Sequence, residues 1–195
     1  MKATAISKMT RKRHSQRGVT LIELMIAMVV LAIGFGGLCT LISGTVASDN
    51  KNSKDTSATL LAQMVIEQIS SQHPNSTTTI LVSDCAGNNW TVATAGGAPP
   101  NGAGANLIMD PSSFGYGGID QTQAVGAIPS GYAMQYADCS NHGPTTYDVR
   151  WNVMTVDSNY TRLVTASARP ITANVNDLGG QFFALPVTLR AISGP

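Results

Sequence analysis

The chain has 195 residues, of which 43% are hydrophobic and 12% are charged, and its formal charge is +1. This near-neutral total hides an asymmetry, because residues 1–18 hold six of the twelve Lys and Arg and none of the eleven Asp and Glu. Residues 19–195 therefore carry six cations against eleven acids, a formal charge of −5. A net negative charge argues against general nucleic-acid binding, which depends on neutralising phosphates with Lys and Arg.

The first predicted element is an apolar helix over residues 19–46, which lies between a basic segment ending at Arg17 and a polar segment over residues 48–56. Its 28 residues exceed the roughly 20 that span a bilayer as a helix. A basic head, an apolar stretch and a polar exit are typical of a segment that enters a membrane from the cytoplasm.

Glu23 is the one charged residue in this apolar segment. A charged side chain within the hydrocarbon costs about 2.5–3.5 kcal/mol on insertion scales, so an acid in this place indicates a function. The alternative is that Glu23 lies at the membrane interface, where water solvates it. If the carboxylate is buried, it needs a cationic partner.

The start of the apolar segment, Gly18 followed by Val-Thr-Leu-Ile-Glu, resembles the class III signal of type IV prepilins and type II secretion pseudopilins. The resemblance implies that a membrane peptidase cuts after Gly18 and methylates the new N-terminal amine of Val19. It also implies that Glu23 pairs with the N-terminus of a neighbouring subunit during assembly. One position departs from the pattern, since the first mature residue in that family is usually Phe.

The helix is predicted to continue beyond the membrane as far as Gln72, because Leu61, Val65 and Ile69 recur at helical spacing and Pro74 then ends it. Gly34, Gly36 and Gly37 mark a segment that could soften when subunits pack in a filament. The alternative is that they are ordinary glycines of a membrane helix. The predicted organisation is a leader peptide, a transmembrane or filament-core helix, its amphipathic continuation and a β-rich globular domain, over residues 1–18, 19–46, 47–73 and 74–195.

The globular part is predicted to be antiparallel, with Asp157-Ser158-Asn159 as the turn of its clearest hairpin. In the strand before that turn, apolar residues alternate with Asp148, Arg150 and Asn152, which predicts one apolar face and one wet face. The glycine-rich stretch over residues 96–105 is predicted to be a loop. The fold class is therefore α+β, a long N-terminal helix packed on an antiparallel sheet as in type IV pilins, with strands near residues 77–82, 90–94, 132–139, 147–153, 162–168 and 187–192.

The three cysteines divide between the two regions. Cys39 lies in the apolar helix and is interpreted as a small packing residue. Cys85 and Cys139 lie in the part predicted to be exported, where a pair of cysteines indicates a disulfide. Two unrelated thiols are the alternative, and a metal site is less favoured because neither cysteine has ligands at metal-binding spacing.

No catalytic residue, metal site or cofactor is predicted. His73 and His142 are interpreted as solvated loop residues, since the sequence lacks a nucleophile-elbow motif that would give a histidine a catalytic partner. Asp110 and Asp120 flank a glycine-rich loop and could supply oxygen ligands to calcium, but no EF-hand pattern is present and ordinary loop aspartates are favoured.

The segment over residues 31–38 and the strand over residues 147–153 most resemble PilV-type minor pilins, which implies a non-enzymatic subunit that assembles or primes a pilus near its tip. The partners implied are other pilin subunits, the prepilin peptidase and the inner-membrane assembly platform. The location implied is the bacterial inner membrane, with the globular domain in the periplasm, and then the surface pilus. Three alternatives stay open: a minor pseudopilin of type II secretion, a tip adhesin using Phe114 and Tyr116, and, least favoured, a membrane-anchored hydrolase.

Overall fold

The computed structural model describes residues 18–74, 76–108, 117–139, 145–157, 161–171 and 185–194. The chain divides after Val46 into two units, each of which is considered by itself. Helix α1 spans Leu21–Ser70, two residues shorter at each end than the sequence predicts. The strands are β1 Ile80–Ser83, β2 Asn89–Val92, β3 Ala103–Gly104, β4 Ala133–Asp138, β5 Thr145–Thr155, β6 Arg162–Ile171 and β7 Val187–Ser193.

In the N-terminal unit, every described residue as far as Val46 is exposed. This part of α1 is apolar around most of its circumference, which is typical of a helix whose environment is itself apolar. The unit therefore has no core of its own among the described residues.

The second unit is built on two antiparallel sheets, which confirms the predicted α+β fold. β1 and β2 form a two-stranded hairpin with Ile80 opposite Val92. Among the described residues, the larger sheet has five strands. Four of them lie in the order β3–β5–β6–β7, and the fifth, β4, pairs with β5 beside β3. β5 and β6 form its longest hairpin, with Trp151 opposite Ala166. β7 is added antiparallel to β6 and begins directly after Pro186, as the sequence predicts.

The core of the second unit lies between the last turns of α1 and one face of the large sheet. The predicted helical stripe is confirmed, since Leu61, Val65 and Ile69 are buried. They belong to the same apolar cluster as the inward-facing side chains of the sheet, and Trp151 at its centre donates a hydrogen bond from Nε1 to the carbonyl of Ala93. The sheet contributes Tyr147, Val149, Trp151 and Val153 from β5 and Val164, Ala166 and Ala168 from β6.

The opposite face of β5 is buried, so the prediction of a solvent-exposed face on this strand is wrong. Asp148, Arg150 and Asn152 are each no more than 2% exposed. Two loops cover them by presenting backbone carbonyls: Arg150 donates to the carbonyls of residues 120 and 123, and Asn152 to those of residues 101 and 105. The alternating polar residues of β5 therefore form a buried hydrogen-bond network that holds the two loops against the sheet.

A buried carboxylate lies at the centre of this network. Arg150 binds both oxygens of Asp148, with Nε–Oδ1 and Nη2–Oδ2 distances of 2.9 and 2.7 Å, and Arg169 approaches Oδ2 at 3.2 Å. A bidentate pair of this kind is the geometry in which arginine and carboxylate interact most strongly. Burial of the charge is thereby compensated within the sheet itself.

The glycine-rich stretch over residues 96–105 is only partly a loop. β3 lies within it and pairs with β5, Ala103 opposite Val153, and Gly97 bridges to Met154. Gly104 has a positive φ of 115°, and a Cβ there would lie 2.4 Å from the carbonyl oxygen of Trp151. Glycine therefore permits this segment to lie directly against the sheet.

Arg162 fastens the end of α1 to the sheet. The residue is 1% exposed, and its guanidinium donates to the carbonyls of Ile69, Gln72 and Thr94 over 3.2, 2.9 and 2.9 Å. A cation is favourable at a helix C-terminus, where carbonyl groups lack partners within the helix. Burial lowers the pKa of Arg162 from its ordinary value.

Candidate functional site in the N-terminal helix

Thr20 determines where α1 begins. Its carbonyl accepts hydrogen bonds from the amides of Glu23 and Leu24 over 3.1 and 3.2 Å, and its Oγ1 lies 3.4 Å from the Glu23 amide. A threonine followed three residues later by a glutamate is the sequence of a capping box, which favours a helix start at this point. Gly18 and Val19 consequently precede the helix in non-helical conformation.

Glu23 lies in the first turn of α1 and is exposed. Within the described residues its carboxylate forms no ion pair. A negative charge in the first turn is favourable for the helix, since the N-terminal amides carry a partial positive charge. The carboxylate is thus accessible to a partner outside the chain.

The apolar side chains behind Glu23 are exposed as well. Leu31 is 73% exposed and Phe35 is 67% exposed. Judged by length and composition alone, α1 is the single helix in the described part of the chain that could cross a membrane, and its most apolar window of 18 residues has a mean hydropathy of 2.5. So much exposed apolar surface indicates that this segment has its partners outside the monomer.

The hydroxyl groups in this segment are satisfied within the helix. Thr40, Ser43 and Thr45 donate to the carbonyls of residues 37, 39 and 42 over 2.8, 2.9 and 2.8 Å. A hydroxyl bonded to the preceding turn needs no water, so these side chains are compatible with an apolar environment. Serine and threonine at helical positions in an apolar segment are the sequence signal of this compatibility.

The glycines leave open surface along the same segment. A Cβ built at Gly34, Gly36, Gly37 or Gly44 would meet no other heavy atom within 4 Å. Small residues in apolar helices allow neighbouring helices to approach closely. α1 is continuous through these positions, and softening of the segment within a filament stays a prediction.

This geometry coincides with a known sequence motif. A family model for the prokaryotic N-terminal methylation motif matches residues 13–38. These residues carry a prepilin-type signal. The motif indicates the precursor of a type IV pilin-like protein or pseudopilin, and it implies processing by prepilin peptidase, assembly with other pilins and anchoring in a membrane. The family with this motif is structural rather than catalytic. No curated protein and no solved structure matches the chain.

The structure brings Cys85 and Cys139 together. Their sulfur atoms lie 1.98 Å apart, and their Cα atoms, 54 residues apart in sequence, are separated by 6.0 Å. The bond connects the turn between β1 and β2 to the end of β4. Cys39 is a free, exposed cysteine of the N-terminal unit.

Asp84, next to Cys85, is a residue that the sequence analysis missed. It is 7% exposed, and its carboxylate accepts hydrogen bonds from Asn88, Trp90 and the amide of Ala137. Burial raises the pKa of Asp84, but these hydrogen bonds together outweigh it and hold the pKa well below its ordinary value of 3.8. The sequence carries only part of this signal, because Asp84 precedes the predicted turn Ala86-Gly87-Asn88-Asn89 but nothing local points to the amide of Ala137.

The described residues contain no group of three or more potential metal ligands. Asp120, interpreted above as an ordinary loop aspartate with a calcium ligand as the less favoured alternative, accepts hydrogen bonds from the amide and hydroxyl of Thr122, and these lower the pKa of its carboxyl group. This is the arrangement of a turn aspartate. The other candidate residues, Asp110, Phe114, Tyr116 and His142, lie outside the described part of the chain.

Proposed function

We propose that the protein is a minor pilin of a type IV pilus, of the PilV type, which acts in pilus assembly or priming at or near the tip. The observation that carries this proposal is Glu23, a single accessible acid at the start of an exposed apolar helix and inside the methylation motif. In the monomer, this acid is favourable only for the start of the helix. A neighbouring subunit that supplies a cation gives the carboxylate an ion-pair partner as well.

Processing is the first step of the proposed mechanism. Prepilin peptidase cuts between Gly18 and Val19, removes the leader of residues 1–18, and methylates the new amine. Support comes from the helix start, because the peptide on both sides of this bond precedes α1 and is exposed. An exposed segment without helical hydrogen bonds is the kind of substrate that a peptidase can reach.

Assembly is the second step. Before it is removed, the basic leader holds the N-terminus of the precursor in the cytoplasm and directs the globular domain to the periplasm. During assembly the apolar helix passes from lipid into the filament core. Both environments are apolar, so burial of the helix alone cannot fix its position along the filament. The ion pair between Glu23 and the N-terminal amine of a neighbour then selects the register, because a carboxylate without a partner is costly in such surroundings.

The globular domain is stabilised by a disulfide, which is typical of proteins outside the cytoplasm. The bond between Cys85 and Cys139 supports an oxidising location, since disulfides persist in the periplasm and at the cell surface and are rare in the cytosol. A minor pseudopilin of a type II secretion system is the second candidate, because the methylation motif is common to both kinds of precursor.

The two candidates are separated by deleting the gene and following the protein. For a minor pilin, deletion reduces surface pili and leaves protein secretion unchanged, and the protein is present in filaments sheared from the cell. For a pseudopilin, deletion blocks secretion and leaves surface pili intact. Normal pili and normal secretion in the deletion strain would contradict both functions, whereas loss of adhesion with filaments intact would favour the tip adhesin.

A further inference from the structure

The Asp84 carboxylate and its three partners, here called the Asp84 clasp, lie beside the disulfide. Oδ1 accepts the Asn88 amide over 2.8 Å, while Oδ2 accepts Asn88 Nδ2, Trp90 Nε1 and the Ala137 amide over 2.9, 3.1 and 3.3 Å. The clasp therefore joins the same two segments as the disulfide, by hydrogen bonds instead of a covalent bond.

The positions in sequence make this overlap specific. Asp84 directly precedes Cys85, and Ala137 lies two residues before Cys139. Ala137 belongs to β4, which is held in place by β5, with Ala137 opposite Thr146. When the Asp84 carboxylate binds the Ala137 amide, Cys85 is therefore brought close to Cys139. Asp84 and Ala137 are both buried, so water competes little for these hydrogen bonds.

The chain also holds a competing thiol. Cys39 is free and exposed in the N-terminal unit, within the apolar segment that becomes concentrated in a membrane. Three cysteines allow three different pairs within one chain, besides pairs between chains. Closing the correct loop, between residues 54 apart in sequence, has an entropic cost that something other than the unformed bond must offset.

We propose that Asp84 is the positioning residue for disulfide formation: its clasp docks the turn between β1 and β2 onto β4 in the reduced chain, so that Cys85 pairs with Cys139 and not with Cys39. The inference does not depend on the proposed function, because it concerns only the second unit and a competing thiol.

The chemistry is ordinary thiol–disulfide exchange with a small or protein disulfide as the oxidant. The thiolate of one cysteine attacks the oxidant and forms a mixed disulfide, releasing one thiol of the oxidant. The thiolate of the second cysteine then attacks the protein sulfur of that mixed disulfide. The protein disulfide forms, the second thiol of the oxidant leaves, and two electrons have passed from the protein to the oxidant. Asp84 takes no part in these bonds and acts only on how often the two sulfurs meet.

The test is oxidative refolding of the full chain in detergent micelles. The reduced, denatured protein is diluted into a buffer of oxidised and reduced glutathione, samples are quenched with an alkylating reagent, and disulfide-linked peptides are quantified by mass spectrometry. We expect the wild type to form the Cys85–Cys139 bond. In Asp84→Asn we expect that bond to form about tenfold more slowly, since a hydrogen bond to a charged group carries about that factor. Peptides linked through Cys39 then accumulate.

Asp120→Asn is the matched control. Asp120 also accepts hydrogen bonds within a turn, from Thr122, but it contacts neither cysteine segment. We expect its refolding rate and products to equal those of the wild type. If Asp84→Asn forms the native bond at the wild-type rate without products through Cys39, the proposal is wrong. It is equally wrong if Asp120→Asn slows the reaction as much as Asp84→Asn does.

A second measurement covers the case in which Asp84→Asn does not fold. In the double variant Cys85→Ser, Cys139→Ser the bond is absent, so the clasp must form by itself if it precedes oxidation. We expect the amides of Asn88 and Ala137 to remain protected from hydrogen exchange in this variant. Exchange at the rates of an unfolded peptide would show that the clasp depends on the disulfide, and would overturn the proposal.

Discussion

The two parts of α1 have the same secondary structure and opposite surroundings. Ile33, in the N-terminal unit, is 72% exposed, whereas Ile69, in the second unit, is fully buried. In the second unit, the sheet covers the apolar stripe of the helix. In the N-terminal unit no described residue does so. The difference indicates that the apolar part of α1 has its partners in other molecules, and the methylation motif implies that these are a membrane and other pilins.

The two buried acids of the second unit differ from Glu23 in the same way. Asp84 and Asp148 are buried in the second unit, and each is surrounded by donors from its own chain. Glu23 has an apolar neighbourhood and no ion-pair partner in the described chain. A carboxylate that enters an apolar filament core in this condition requires a cation from elsewhere.

The largest expected effect is that of Glu23→Ala on assembly. The variant should still insert into the membrane and be processed, but the N-terminal amine of the neighbour would lose its partner. An unpaired charge in the apolar interior costs about 2.5–3.5 kcal/mol, so we expect incorporation into filaments to fall by about a hundredfold. The measurement is the ratio of the protein in sheared filaments to that in membranes.

Asp49→Ala is the control for this prediction, since Asp49 lies on the same helix beyond the apolar segment. We expect it to enter filaments normally. Normal incorporation of Glu23→Ala would show that Glu23 needs no partner in the filament, and would contradict the proposed assembly mechanism.

The pair Ile69→Ala and Ile33→Ala tests the contrast within one helix. Removing the buried side chain of Ile69 leaves a cavity in the core and should lower the free energy of unfolding of the second unit by about 3 kcal/mol. The same change at exposed Ile33 should alter it by less than about 0.5 kcal/mol. Both are measured by denaturant unfolding in detergent, followed by the fluorescence of Trp90 and Trp151, which both lie in the second unit. Equal effects would mean that the two parts of the helix are not differently packed.

Arg162→Met tests the attachment of α1 to the sheet. The substitution keeps much of the side-chain volume but removes the hydrogen bonds that the guanidinium donates to the carbonyls of Ile69, Gln72 and Thr94. We expect a loss of about 2 kcal/mol in the free energy of unfolding. Arg190→Met, at an exposed position of β7, should cost much less. A stability equal to that of the wild type would show that the helix end is held without Arg162.

The smallest expected effect is a pH dependence at Asp84. The pKa of its carboxyl group is held below its ordinary value of 3.8 in the folded protein, so its contribution to stability is complete above that value and is lost as the pH falls below it. The difference in stability between the wild type and Asp84→Asn should therefore be constant from pH 7 to about pH 5 and should narrow towards pH 3. A difference that stays the same down to pH 3 would contradict this role of the ionised carboxylate.

Much of the fold could be predicted from the sequence because its signals are local. The stripe of Leu61, Val65 and Ile69 has helical period, and the strands around Tyr147–Val153 and Arg162–Ala168 have the composition and turn of a hairpin. The helical stripe and the pairing of the two strands are confirmed, while Ser158 and Asn159 of the predicted turn lie outside the described residues. The sequence predicts that α1 begins at Val19 and the structure begins it at Leu21, although the capping-box spacing of Thr20 and Glu23 indicates the later start.

The buried polar face of β5 and the Asp84 clasp could not be predicted, because both depend on hydrogen bonds to backbone groups that every residue type carries. Asp148, Arg150 and Asn152 alternate as solvated residues do, and only the loops folded over them, at residues 101–105 and 120–123, make them buried. The hydrogen bonds there go to backbone carbonyls, which every residue type carries. The Asp84 clasp is hidden for the same reason, since one of its donors is the amide of Ala137, more than fifty residues away.

The most direct test is the N-terminus of the protein as it occurs in filaments. Intact mass and N-terminal sequencing of the protein from sheared filaments should give a chain that begins at Val19 and is one methyl group heavier than its sequence. A processed chain found only in membranes would favour the pseudopilin or a priming subunit that stays there. An uncut chain that begins at Met1 would contradict the proposed function, because the amine that Glu23 of a neighbour is expected to bind would never form.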